Sequence, residues 1–150
     1  MTLFFRTSIL VRFGDCDPAG IVFLSALFLK CSTTWWKTGA RWAWSTVFRA
    51  LHMEQGLGLP TVHIETDFVA ASELGETLCA ELQVRKFGAT SITLGIRLLG
   101  PDGADRVRCT LVLVLLDLHK RSAVSLPEAL RTRIARFLRH TVTNTVKKAQ

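Results

Sequence analysis

The 150-residue chain contains no tyrosine and only 12 acidic side chains against 19 basic ones. Over residues 1–53 the only acids are Asp15 and Asp17, and the first histidine is His52. The helix that we predict over 22–38 therefore contains neither a carboxylate nor an imidazole. This absence excludes an active site built on a glutamate or a histidine of that helix.

Long apolar runs and paired cysteines are also missing. The longest apolar stretch, IVFLSALFL, stops at Lys30, well short of the roughly 20 residues that a membrane-spanning helix needs. The N-terminal residues are interrupted by Arg6 and Arg12 and lack the apolar core of a signal peptide. No CxxC pair occurs among the four widely spaced cysteines, which favours reduced thiols (Cys16, Cys31, Cys79 and Cys109). We expect a cytoplasmic protein with no membrane contact.

The net charge of +7 suits a polyanionic partner, whether nucleic acid, an anionic membrane or a phosphorylated ligand. No helix-turn-helix, zinc-finger spacing or RNP-type strand accompanies the charge, so we expect no nucleic-acid binding. Asp15 and Asp17 lack a supporting histidine cluster, so we expect no metal site. The length fits a single domain over 1–150, with its core over about 3–139.

The apolar pattern predicts an α+β fold. A strand over 3–13 ends at the GDCDPAG turn, and apolar residues then follow helical spacing from about residue 22. A second helical stretch precedes the GLGLP loop at 56–60. Four strands, joined by short connections typical of antiparallel neighbours, are predicted over 61–69, 76–87, 90–100 and 105–119. The segment LVLVLLDL is apolar on both faces and predicts a central strand buried from both sides. A short helix follows in SLPEALRTRIARFLRH, and we expect the sheet to wrap around the long helix.

These residues resemble a known family. FGDCDPAGIV, followed by an apolar helix and by GLP at 58–60, is similar to the 4-hydroxybenzoyl-CoA thioesterase branch of the hotdog-fold superfamily. DFVAASELGETL, VRKFGATSITLGI and VLVLLDLHKRSAVSLPEALR fit the same pattern, so the resemblance spans about residues 5–137. It implies a curved antiparallel sheet around one long helix. It also implies a homodimer, and further a homotetramer, in which two sheets join edge to edge.

The resemblance implies hydrolysis of acyl-CoA thioesters at the dimer interface, with no metal or other cofactor and with coenzyme A as part of the substrate. It assigns the role of nucleophile or general base to Asp17. Backbone N–H groups around Phe23 and Leu24 would form the oxyanion hole, because the start of a helix favours negative charge. Gly20 would allow close approach of the backbone. Asp15 is expected to hold the turn or to tune its neighbour Asp17.

The same resemblance places further residues at the substrate. Ile21 and Val22 lie at the entrance of the helix, and His63 follows the GLP loop where the family lines its acyl pocket. Arg85 and Lys86 end a strand where similar enzymes bind the phosphates of CoA. For His63 the structural alternative is a partly buried, hydrogen-bonded histidine. For Arg85 and Lys86 it is a solvated strand end.

Two alternatives stay open. The helix-start segment FLSALFL differs from the Tyr-Pro that aryl-CoA thioesterases of this kind usually show, so the acyl group is either aromatic or medium-chain and apolar. The same difference is compatible with a non-catalytic hotdog module that binds acyl-CoA or a partner protein.

Overall fold

The structure is a computed structural model that describes residues 5–22, 25–26, 53–132 and 134–135. Most of the predicted long helix and of the second helical stretch lies outside these ranges. Of the long helix, Ser25 and Ala26 are helical, whereas Val22 forms a bridge with Cys16. Of the second stretch, Met53 is described and is helical. The oxyanion-hole candidates Phe23 and Leu24 also lie outside the described residues.

The described part of the chain contains eight strands in two antiparallel sheets. The main sheet has five strands in the order β1-β4-β5-β6-β3, and the small sheet has the order β2-β7-β8. The strands are β1 (Phe5–Leu10), β2 (Leu57–Gly58), β3 (Thr61–Phe68), β4 (Thr77–Phe87), β5 (Ser91–Leu99), β6 (Asp105–Val114), β7 (Leu116–Asp117) and β8 (Ser122–Ala123). The first three strands predicted after Pro60 and the strand near the N-terminus are therefore confirmed, with ends that differ by a few residues.

The last predicted strand is broken, and its prediction as one element was wrong. The chain leaves the main sheet at Leu115, whose N–H donates to the carbonyl of Thr90. Leu116 and Asp117 then pair with β2 and β8 instead. The Asp117 carboxylate accepts the N–H groups of His119 and Lys120 at 2.9 Å each, which turns the chain back on itself.

One face of the main sheet carries the core. Alternate residues point to this face, as the pleat of a strand requires. Its fully buried side chains on the three central strands are Leu78, Ala80, Leu82 and Val84 of β4, Ile92, Leu94, Ile96 and Leu98 of β5, and Val107, Cys109, Leu111 and Leu113 of β6. Burial of each large aliphatic side chain stabilises the fold by about 1.5–3 kcal/mol.

We call the opposite side of the main sheet the outer face. β6 lies between β5 and β3, which confirms its central position. Burial from both sides was wrong for this chain, since Val112 and Val114 on the outer face are only half-buried. The outer face is largely polar and charged.

A C-terminal helix is confirmed at residues 128–132 and 134–135. The carbonyl of Pro127 accepts its first N–H groups, from Leu130 at 3.0 Å and Arg131 at 2.9 Å. Leu130 and Ile134 are one turn apart and are both buried, so this helix packs on the core. Among the described residues, no helix has the length and hydropathy required to cross a membrane.

Candidate active site

Asp15 closes a short turn between β1 and the following loop. It ends the 3-10 turn Phe13–Asp15, and its Oδ2 accepts the N–H of Arg12 at 2.9 Å. Its own N–H donates to the carbonyl of Arg12 at the same distance. This reciprocal pair satisfies backbone groups at the turn, so the expected structural role of Asp15 is confirmed.

Asp17 organises the next turn. Its Oδ1 accepts the N–H of Ala19 at 2.8 Å and that of Ile21 at 3.3 Å. Its main-chain N–H donates to the carbonyl of Ile21, and its carbonyl accepts the N–H of Gly20, both at 2.9 Å. Gly20 has a φ of 77°, in the left-handed region that other residues rarely adopt. The turn therefore requires both the carboxylate and the glycine.

The two oxygens of Asp17 differ in their surroundings. Oδ1 is held by two backbone donors, whereas no hydrogen bond to Oδ2 is found within the described ranges. The side chain is half-buried. A carboxylate with one oxygen held and the other open is suited to attack a carbonyl or to accept a proton from water.

A second segment fixes the turn from the side. The N–H of Val22 donates to the carbonyl of Ser72 at 2.9 Å, and the N–H of Leu74 donates to the carbonyl of Gly20 at 3.0 Å. Ile21 also forms a bridge with Glu73. Sequence reasoning missed this partner, because only the turn-forming residues of SELG marked the segment and they do not reveal what it pairs with.

These contacts separate the roles open to Ile21 and Val22. The N–H groups of both are already used, by Asp17 and Ser72 respectively. The Val22 side chain is buried in the core, while that of Ile21 is 42% exposed beside an equally exposed Leu74 at 47%. Of these two side chains, that of Ile21 is therefore the one open to a substrate next to Asp17.

His63 lies on the outer face of β3, opposite Val112 in the register. It follows an irregularity in β3 between Thr61 and His63. Its side chain is exposed. The alternative of a partly buried histidine was therefore wrong for this chain, because the pleat of β3 turns the residue away from the core.

Arg85 and Lys86 lie at a bulge of β4 between Val84 and Lys86. The Arg85 side chain crosses β5, and its Nη1 donates to the Thr110 hydroxyl on β6 at 2.9 Å. It passes over Gly95, where an added Cβ would lie 2.5 Å from Nε of Arg85. Arg85 is thus held on the outer face by Thr110 and is still exposed to solvent, as the alternative of a solvated strand end expects. Lys86 is exposed opposite Thr93.

A line of ion pairs crosses the outer face, and we call it the outer-face ion-pair line. Glu81 is only 5% exposed and accepts from Arg6 at 2.7 Å and from Arg97 at 3.5 Å. Asp105 accepts from Arg97 and from Arg108, at 2.8 Å each. The hydrogen bond from Arg97, helped by that from Arg108, holds the pKa of Asp105 below its ordinary range. The charges of Arg6, Arg97 and Arg108 are therefore partly compensated within the sheet by Glu81 and Asp105.

Over the described ranges, no three His, Cys, Asp or Glu side chains come together as potential metal ligands. The three cysteines in these ranges, Cys16, Cys79 and Cys109, form no disulfide with one another. The chemistry on offer here is that of a carboxylate and backbone amides.

Comparison with known proteins supplies the wider context. The sequence model of the thioesterase-like superfamily matches residues 11–134, which include Asp17 and the whole main sheet after β1. A 1,4-dihydroxy-2-naphthoyl-CoA hydrolase of Prochlorococcus marinus is 30% identical over 89 residues, covering 56% of this chain and 57% of the relative. The match thus spans little more than half of that relative. A hydrolase of the same name from Synechococcus elongatus is 29% identical over 122 residues, covering 81% of this chain and 88% of the relative.

Solved structures support the same fold. A Staphylococcus aureus protein determined in complex with CoA superimposes with a TM-score of 0.85, covering 93% of this chain and 87% of that one, at 16% identity. Together with the matching family, this likeness identifies the hotdog thioesterase fold.

Proposed function

Because the chain belongs to the thioesterase-like superfamily, we propose that it is an acyl-CoA thioesterase. Its substrate would be an aromatic or another apolar acyl-CoA, which it hydrolyses to the free acid and CoA. The observation that carries the proposal is the Asp17 carboxylate at the entrance of a helical segment, which is anchored through Oδ1 and whose Oδ2 takes no hydrogen bond from the described residues. The relatives named as 1,4-dihydroxy-2-naphthoyl-CoA hydrolases support an aryl-CoA, and the resemblance to the 4-hydroxybenzoyl-CoA thioesterase family supports the same class.

Asp17 acts in one of two ways in this proposal. As a nucleophile, Oδ2 attacks the thioester carbonyl, the C–S bond breaks, CoA leaves as the thiol after taking a proton, and water hydrolyses the resulting anhydride. As a general base, Oδ2 takes a proton from water while the oxygen of that water attacks the same carbon. In both cases the carbonyl oxygen becomes an oxyanion. Backbone N–H groups around Phe23 and Leu24 would stabilise it, and loss of one such donor typically costs about 10²–10³ in rate.

The remaining binding roles follow from position. Gly20 lets the backbone turn tightly behind Asp17, and the exposed Ile21 side chain would contact the acyl group. His63 would line the acyl pocket. Arg85 and Lys86 would bind the phosphates of CoA, for which the planar guanidinium and the ammonium both suit.

We further propose that the active unit is a homodimer, and that two dimers form a homotetramer. Among the described strands, β3 pairs with β6 alone, so its second edge is available to a copy of itself. No metal, membrane or nucleic acid is needed for this function.

The test is a free-thiol assay over aryl, short-chain and long-chain acyl-CoAs, including 4-hydroxybenzoyl-CoA and 1,4-dihydroxy-2-naphthoyl-CoA. We expect Asp17→Asn to lower kcat on the best substrate by at least about 10²-fold, the usual scale for loss of a positioned acid–base group. Its melting temperature should stay close to the parent value, because the Asn side-chain oxygen still accepts the two N–H groups. Near-normal turnover by this variant would show that the proposed mechanism is wrong.

The same experiment distinguishes a thioesterase from the non-catalytic acyl-CoA-binding module. A binding module would show saturable binding of CoA or acyl-CoA and no thiol release with any member of the panel. Thiol release that depends on Asp17 would exclude it.

A further inference from the structure

The segment Ser72–Glu76 lies between β3 and β4 and contacts both ends of the loop that carries Asp17. The near end of this loop is Val11, and the far end is residues 20–22. The segment's pairing with residues 20–22 fixes the far end, as described above. At the near end, the N–H of Val11 donates to the carbonyl of Glu76 at 2.9 Å, and the N–H of Gly75 donates to the carbonyl of Val11 at 3.0 Å. Val11 is 1% exposed, so this end is also anchored in the core. We call Ser72–Glu76 the bracing segment.

The side chain of Glu76 holds the bracing segment in shape. Its Oε2 accepts the N–H of Glu73 at 3.1 Å, and this bond closes the segment on itself. Its Oε1 lies 3.5 Å from Nη2 of Arg106 on β6. Both side chains are largely removed from solvent, with exposures of 22% for Glu76 and 11% for Arg106. An ion pair in such surroundings is costly to break from one side, because the remaining charge loses its partner.

Arg106 links the pair to the rest of the sheet. Its guanidinium also bonds Asp102, with Nη1 3.2 Å from Oδ1, and it lies directly on Gly100, where an added Cβ would be 2.4 Å from it. Its carbonyl accepts the N–H groups of Val69 and Ala70, just before the bracing segment. The segment is thus tied to β6 by the backbone on one side and by Glu76 on the other.

We propose that Glu76 is a positioning residue for Asp17. Glu76 holds the N–H of Glu73, Glu73 is bridged to Ile21, and the N–H of Ile21 is one of the two donors that hold Oδ1 of Asp17. Removal of Glu76 releases the segment against which the Asp17 turn is fixed. This inference rests on the proposed function. Misplacement of a catalytic group by about 1 Å costs on the order of 10² in rate.

The test compares Glu76→Ala and Glu76→Gln in the full-length protein, with kcat, KM and melting temperature measured on the best substrate of the panel. We expect Glu76→Ala to lower kcat 10- to 100-fold while KM stays within about twofold, since the CoA contacts proposed for Arg85 and Lys86 lie outside the bracing segment and are kept. Glu76→Gln should recover most of the kcat, because the amide oxygen still accepts the N–H of Glu73. If the alanine variant is unfolded, Glu76→Asp, which shortens the reach by one methylene, takes its place with the same expected loss.

The matched control is Asp102→Asn, which weakens the other contact of Arg106 and leaves Glu76 in place. We expect it to lower the melting temperature without lowering kcat. Equal losses of kcat in Asp102→Asn and Glu76→Ala would assign the effect to general loosening and overturn the proposal. So would a normal kcat for Glu76→Ala in an enzyme that requires Asp17. An inactive parent protein would instead contradict the proposed function itself, and the inference with it.

Discussion

Two carboxylates separated by one residue have different hydrogen-bonding roles. Asp15 uses Oδ2 to close a turn with Arg12. Asp17 uses Oδ1 to hold Ala19 and Ile21 and keeps Oδ2 open among the described residues. An Asx turn is commonly only a structural device. Here the device also fixes the direction in which Oδ2 points, and this is the oxygen to which the proposed function assigns the chemistry.

Oδ1 of Asp17 anchors the turn, whereas the proposed function assigns the chemistry to Oδ2. Substitutions at Asp17 should therefore affect the free energy of unfolding and the turnover to different extents. Asp17→Ala removes the acceptor of two backbone N–H groups and should lower the free energy of unfolding by about 1 kcal/mol, the usual cost of losing such a cap. Asp17→Asn keeps the acceptor and should cost much less. Urea unfolding of both variants measures the difference, with Glu73→Ala, an exposed side chain, as the control. Equal losses for the two Asp17 variants would contradict the role of Oδ1.

Sequence reasoning at this scale succeeded where a residue acts on its neighbours. Asp15 was expected to hold the turn and is confirmed as a turn residue. The role of Asp17 was assigned by the family resemblance and stays a prediction. The contribution of Glu76 was not predictable, because it depends on Arg106, thirty positions later, and on contacts with Val11 near the start of the chain. Neither partner is visible in local spacing.

At the scale of elements, the strands were predictable and their breaks were not. Alternation in ETLCAELQVRKF and TSITLGIRLLG marks β4 and β5 clearly, since one face of each is buried. The end of β6 was missed because LVLVLLDL continues apolar across Leu115, where the chain changes from the main sheet to the small one. Hydrophobicity alone does not say which sheet a buried residue joins.

The outer-face ion-pair line predicts a dependence of stability on pH. Arg97, and then Arg108, hold the pKa of Asp105 below its ordinary value of about 3.9. A carboxyl group with a lowered pKa in the folded state stabilises the fold above its unfolded pKa, and this contribution is lost as the pH falls through the folded value. We expect the free energy of unfolding to decrease as the pH is lowered below about 4, and to decrease less steeply in Asp105→Asn.

Urea unfolding between pH 2 and pH 6 measures this slope, with Glu128→Gln, an exposed acid on the C-terminal helix, as the matched control. Identical slopes for the parent protein and Asp105→Asn would contradict the contribution of Asp105. The effect should also weaken in high salt, because Arg97 and Arg108 are about half exposed.

At the scale of the whole molecule, the main sheet has two different edges. β1 forms one edge and β3 the other. β3 carries exposed apolar side chains along its length, with Val62 57% exposed and Phe68 45% exposed. An open edge with apolar side chains is a common site of pairing between chains, and it is the edge expected to form the homodimer.

The proposed dimer therefore predicts that Val62→Glu disrupts assembly and Leu10→Glu does not. Leu10 is 50% exposed on β1, at the opposite edge, and serves as the matched control. Light scattering after gel filtration should show a dimer or larger assembly for the parent protein and for Leu10→Glu, and a shift toward monomer for Val62→Glu. Thiol release should fall together with dimerisation if the active sites lie at the interface. A monomeric parent protein would contradict the pairing.

The pairing of Val22 with Ser72 also has a consequence for the order in which the molecule folds. The turn from Asp17 to Ile21 closes over five residues, and contacts of that kind form early. Its attachment to Ser72 joins positions about 50 residues apart, and contacts so distant form only after the intervening chain has been brought together. During synthesis, Asp17 emerges long before the segment that orients it. The chain thus acquires its carboxylate first and the braced geometry of the Asp17 turn later, when β4 has been added to the sheet.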